Sequence, residues 1–233
     1  IFKGHDLNKW AGMEVDSGYV ELNFATLEGI DTSDRIFDIN HSNFIVNNSV
    51  IRNNIGRYFG FIRANGGSLV FNNVDLINNE NLDPWSLYEH FFYLYGNGEA
   101  VFNNINFIPT TYSYGSTPMI GVDDFSLSMN NIDIPDYFEI FNYLTDSNIT
   151  ISRTLISNTN GFIDSATGNE YDIINCTIIG DDENFYIENS NSVNMINTIL
   201  YGYDNIFADG TLTVRIRGTI ETRSFNVCSN SLW

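Results

Sequence analysis

Residues 66–79, GGSLVFNNVDLINN, alternate apolar and polar positions through Leu69 and Phe71. The pair Asn72-Asn73 then intervenes, and alternation resumes at Val74 and Leu76. A period of two marks a strand with one buried face. EAVFNNINF repeats the same interruption at Asn103-Asn104. Aligned on Phe71, the matching segments are YVELNFATL, NFIVNNSVI, SLVFNNVDL, EAVFNNINF, SLSMNNIDI, NITISRTLI, EYDIINCTI, SVNMINTIL and, less closely, TVRIRGTIE. The aligned residues are Leu22, Val46, Phe71, Phe102, Met129, Ile151, Ile173, Met195 and Ile216, at spacings of 24, 25, 31, 27, 22, 22, 22 and 21. A period settling near 22, lengthened where loops are inserted, predicts a solenoid.

Four columns of this alignment are almost wholly apolar or small. One runs Val20, Phe44, Leu69, Ala100, Leu127, Ile149, Tyr171, Val193, Val214; another runs Ala25, Ser49, Val74, Ile105, Ile132, Thr154, Cys176, Thr198, Thr219. Within a repeat the inward positions are two, three and two residues apart, so two strands meet at a bend with both facing inward. Asn48, Asn73, Asn104, Asn131, Asn175 and Asn197 share the bend column. Asparagine tolerates the left-handed backbone of a sharp bend. Identical amides stacked at strand spacing bond from coil to coil, and the expectation is a ladder inside the corner, where it satisfies buried polar groups. A further strand precedes each Gly/Asn/Asp turn, as in RIFDINHS, FGFIRANGG, FFYLYGNG and EIFNYLTDS. Three short strands per coil, with no helical period, predict an all-β parallel β-helix.

This pattern resembles the right-handed parallel β-helices of the pectate-lyase-like superfamily, whose second turn often carries an asparagine ladder. It is similar also to the repeats of adhesin-like and polymorphic outer-membrane surface proteins. In style and Asn/Ile/Tyr-rich composition it resembles the β-helical scaffoldins of anaerobic gut fungi, which gather dockerin-bearing enzymes. The resemblance covers residues 14–225 and implies a right-handed, single-stranded β-helix of about nine coils with an internal Asn ladder. The whole of 1–233 is expected to be one such domain, a segment of a longer extracellular protein. No family-specific motif accompanies the resemblance, so it speaks to fold and not to function.

Composition narrows the partners. Acids number 29 against 10 bases, a net charge of −19, which repels nucleic acid, anionic lipid and polyuronates and favours cations or basic partners. No apolar run is long enough to span a membrane. Four sequons, at Asn40, Asn47, Asn148 and Asn175, fit a secreted or cell-surface protein. Cys176 and Cys228 match neither a metal spacing nor a disulfide framework, and Cys176 falls in an inward column as a core thiol. His5, His41 and His90 lie far apart, so no metal or other cofactor is expected.

Two insertions break the repeat, at 77–90 and 108–118. They leave their coils at the same phase and are expected to project side by side. Between them they hold Trp85, Tyr88, Tyr112 and Tyr114 with Asp83 and Glu89, and Tyr58 comes from a shorter loop one coil earlier. Exposed Trp and Tyr are common binding anchors; the same rings folded back would merely cover the barrel side, and both readings stand open. Adjacent carboxylates at Asp123-Asp124 and Asp181-Asp182-Glu183 offer oxygen ligands for calcium, although a solvated acidic loop is the commoner meaning. Asp123 and Asp164, on outward positions of the strand before the turn, are the only pair suggesting an inverting hydrolase. Arg215, Arg217 and Arg223 are the only clustered bases, which leaves a polyanion little to hold. The expectation is a non-catalytic module that presents a binding face for adhesion or scaffold assembly. Its partner would be a protein docking module with a basic surface or a neutral polysaccharide. The alternative is a polysaccharide hydrolase or lyase of the same fold.

Overall fold

A computed structural model describes residues 2–3, 12–32, 35–56, 61–81, 91–108, 120–135, 139–159, 161–180, 184–187, 192–202, 205–208 and 213–221. Among these there is no helix, and every strand pairing is parallel. The column Val20, Phe44, Leu69, Ala100, Leu127, Ile149, Tyr171, Val193, Val214 is joined residue to residue by strand register. The repeat read from the chain is therefore the physical register of the stack. The protein is a parallel β-solenoid.

Each coil has three faces. In the first coil they are Met13–Asp16, Tyr19–Asn23 and Thr26–Glu28. In the next three coils the strand bends without stopping, and Phe37–Arg52, Ile62–Ile77 and Phe92–Ile108 each run through all three faces. The strand expected before each turn is thus the first face, and the bend lies between the second and third.

The inward columns fill the interior as predicted. Phe44, Val46 and Ile51 are completely buried, as are Leu69, Phe71 and Val74 in the coil above. On the first face the inward column alternates Phe37, Ile62, Phe92, Ile120, Phe141. Alternating large and smaller side chains lets successive layers interdigitate at strand spacing. Phe92 packs on Phe102 at 4.7 Å and Phe71 on Phe102 at 5.7 Å between ring centroids, so aromatic contacts link the first and second faces.

The bend corrects one expectation. The amides do form a ladder: Asn73 Nδ2 donates to Asn48 Oδ1 (3.0 Å), Asn104 to Asn73 (2.7 Å), Asn131 to Asn104 (2.6 Å) and Asn197 to Asn175 (3.2 Å). It lies on the outside, however, because all six asparagines are exposed. Backbone geometry explains the reversal. Each bend residue has φ between 49° and 55°, and this left-handed residue swings its side chain outward so that its successor can return inward. In the column that follows the bend, Ser49, Thr154 and Thr198 are buried and donate to the carbonyl two residues back. Phe24 and Arg153 adopt the same left-handed conformation in the same column, at the steric cost such residues carry.

A second ladder, unforeseen, runs beside the first. Asn47 donates to Asn23, Asn72 to Asn47, Asn103 to Asn72 and Asn130 to Asn103. The amides that truly lie inside are Asn54 and Asn79, at the corner after the third face, and Asn169, at the corner after the first. Asn54 Nδ2 donates to Asn79 Oδ1 (3.0 Å) and to Leu27 O (3.2 Å), its Oδ1 accepts from Ile30 N (2.9 Å), and Asn79 Nδ2 donates to Ile51 O (2.7 Å). At the corner after the first face Gly67 is in register with Ser42. Its φ is 75° and a Cβ would collide with the Ser42 backbone, so only glycine fits.

Candidate functional site

Trp85, Tyr88, Tyr112, Tyr114, Tyr58, Asp83 and Glu89 all lie outside the described residues, as do His90 and the acidic run 181–183. Their frame is described. Ile77 is in register with Ile108 before the two insertions, and Phe92 with Ile120 after them. Segments 82–90 and 109–119 thus bridge matching positions in adjacent coils. Segment 57–60, which holds Tyr58, bridges the same corner one coil earlier, since Gly56 pairs with Asn81 and Ile62 with Phe92. All three segments deliver the chain into the first face.

The outer side of that face carries a built polar cluster. Asp38, Arg63 and Tyr93 are register neighbours in successive coils. Arg63 grips the Asp38 carboxylate with two bonds, Nε to Oδ1 at 2.8 Å and a terminal nitrogen to Oδ2 at 2.5 Å. Arg35 reaches the same Oδ2 at 3.2 Å. The Arg63 guanidinium lies 5.9 Å from the Tyr95 ring centre, and Tyr95 stacks on Tyr93 at 5.1 Å and 26°. The outward positions of Asp38, Arg63 and Tyr93 follow from the period of two on this strand, since their neighbours Phe37, Ile62 and Phe92 are buried. Tyr95 was missed, though its spacing of two from Tyr93 was the signal for it.

The acidic candidates separate. Asp164 is in register with Asn142, and Asn142 with Gly121, so Asp164 does not share a column with Asp123. Asp123 pairs instead with Thr145, past an irregularity in the register. Asp123 is exposed, and its carboxyl is raised above the usual range by partial desolvation and by the neighbouring Asp124 and Asp146. No group of three metal-ligating side chains occurs among the described residues. Cys176 is buried, its thiol pushed up chiefly by desolvation. Arg215 and Arg217 fall on the strand Thr213–Glu221, while Arg223, Cys228 and His5 lie outside the described residues.

The third face holds a feature that the sequence reading overlooked. Among the described residues the exposed large apolar side chains are Tyr19 and Phe24 on the first coil, and Ile108, Leu155, Ile199 and Tyr201, all on the third face. Asn106, Asp133, Leu155, Thr177 and Ile199 form one outward column of that face. Between this column and the bend lies a shallow groove of about 360 Å³ lined by Asn104, Asn106, Asn131, Asp133, Arg153 and Leu155 over Ile105 and Ile132. The signal for them in the sequence is an apolar residue at an outward position of the period-two pattern.

Comparison with family models, with curated proteins and with solved structures finds no match. The class defined by register and burial is a parallel β-solenoid with outward asparagine ladders. No helix among the described residues is long and apolar enough to cross a membrane.

Proposed function

We propose that this solenoid is a non-catalytic, extracellular module that presents a binding surface for adhesion or scaffold assembly. One observation carries the reading: two aromatic-rich insertions bridge register-matched positions of adjacent coils, Ile77 with Ile108 and Phe92 with Ile120. A solenoid needs no insertion to close a coil, and matched departures suit one composite surface. The contact residues of this reading are Trp85, Tyr88, Tyr112, Tyr114, Tyr58, Asp83 and Glu89. The partner is a docking module with a basic surface or a neutral glycan, in the manner of the adhesin-like and scaffoldin repeats that the sequence resembles. The separated columns of Asp123 and Asp164 favour binding over hydrolysis.

The test is a pull-down from secreted proteins of the source organism beside a glycan array, with wild type and the Trp85→Ala/Tyr112→Ala double variant. Loss of about 2 kcal/mol or more of binding at an unchanged melting temperature is expected for hot-spot aromatics. A lowered melting temperature with intact binding would make these rings a cover for the barrel. Sugar release from pectin, xylan or mannan, abolished by Asp123→Ala, would replace the reading with an enzyme.

A further inference from the structure

We propose that the third face and its groove form a track for a neutral polysaccharide chain lying along the stack. The proposal rests on described residues of the third face and uses none from the two insertions. Its direction comes from the register: Asn106, Asp133 and Leu155 follow one another in consecutive coils, as do Asn104 and Asn131 across the groove. Neighbouring coils are about 4.8 Å apart, so a ligand lying along the stack meets one outward group of each column per coil.

The chemistry of the walls suits hydroxyl groups. Each ladder amide donates one N–H to the coil before it, which leaves its second N–H and a carbonyl lone pair for a ligand. At Asn131 the ladder meets Arg153, whose Nε bonds Asn130 Oδ1 at 2.9 Å instead of continuing the series. Asn131, Asp133 and Arg153 thus line one groove together. Hydroxyls both donate and accept, and they match such a mixture of acceptors and donors. Beside it, Leu155 (39%), Ile199 (44%) and Tyr201 (51%) expose the apolar area that a sugar ring's C–H face can cover. The net charge of −19 disfavours a polyanionic chain, so the ligand is neutral.

Native gel electrophoresis through galactomannan, xyloglucan, mixed-linkage glucan or polygalacturonate tests this. Retardation is expected in at least one neutral gel and not in polygalacturonate. Leu155→Ser/Tyr201→Ser should weaken that retention on the order of tenfold, and Arg153→Ala should weaken it too, hot-spot behaviour for contacting side chains. Thr150→Ala, on the second face, should leave it unchanged. Thermal melts of all variants check that the fold persists. Full mobility of the wild type in every neutral gel would overturn the proposal, as would retention that ignores the Leu155/Tyr201 variant. Concentration-dependent dimers in light scattering, abolished by that same variant, would overturn it in favour of an interface between copies.

Discussion

Asn104 and Asn79 sit at two corners of the same stack and do opposite things. Asn104 is exposed with φ 54°, bonded to Asn73 below and Asn131 above. Asn79 is buried, and its amide serves the Ile51 carbonyl and the Asn54 amide and backbone. The first is there for its backbone, since few residues tolerate the left-handed region as readily as asparagine. The second is there for its side chain, because a corner closed to water must satisfy its polar groups from within. An identical residue in an identical-looking repeat thus solves a steric problem at one corner and a solvation problem at another.

The largest effect should come from breaking the inner member. Asn79→Leu strands the Ile51 carbonyl and the Asn54 amide, and we expect a loss of about 3 kcal/mol in urea unfolding, from about 1–3 kcal/mol per orphaned group. Asn79→Asp keeps the acceptor for Asn54 but turns a carboxylate oxygen toward the Ile51 carbonyl, so its cost should be large at neutral pH and shrink in acid, where the protonated carboxyl can donate; a cost that ignores pH would mean that the Ile51 contact contributes nothing. Next comes Asp38→Ala, an outward position where charge replaces ladder chemistry. It removes the shared acceptor of Arg63 and Arg35 and should cost about 2 kcal/mol, the scale of hydrogen bonds to charged groups. A change within error would place this pair among exposed ion pairs of little worth.

Asn104→Ala should cost about 1–2 kcal/mol, the steric price of left-handed backbone, while Asn104→Gly should lose less than half of that. If glycine and alanine prove equally damaging, the outward amide bonds, and not the backbone, hold the bend. The smallest effect belongs to Asp123, whose carboxyl is raised by desolvation and by Asp124 and Asp146. A raised carboxyl binds more protons folded than unfolded, so its contribution to stability falls as pH rises above the ordinary 3.8. Asp123→Asn should therefore lift the melting temperature slightly at pH 7, and the gain should vanish below pH 3.8, where the carboxyl is protonated in both states. A gain that persists in acid would point to packing instead.

Much of the architecture was legible in the chain. The spacing of inward residues by two, three and two carries both the strand and the bend, so aligning Leu69 with Ala100 also aligned them in space. A binary pattern works here because each coil buries the same face, and a slip of one residue would turn every inward side chain to water. The asparagine column was legible as a bend for the same reason. Its direction was not. Alternation assigns a face only while the backbone stays extended, and at Asn73 or Asn104 a left-handed residue resets the phase. The buried pair Asn54 and Asn79 was invisible because it serves backbone groups of neighbouring coils 24 to 28 residues away, Ile30 and Ile51 among them. Nothing local marks such a partner. The same holds for the surfaces. Asp38, Arg63 and Tyr95 come from three coils, and the groove of Asn131, Asp133, Arg153 and Leu155 spans consecutive ones. Repetition along the chain determined which residues face inward; only stacking, which sets coils side by side across long stretches of sequence, decided which outward groups meet.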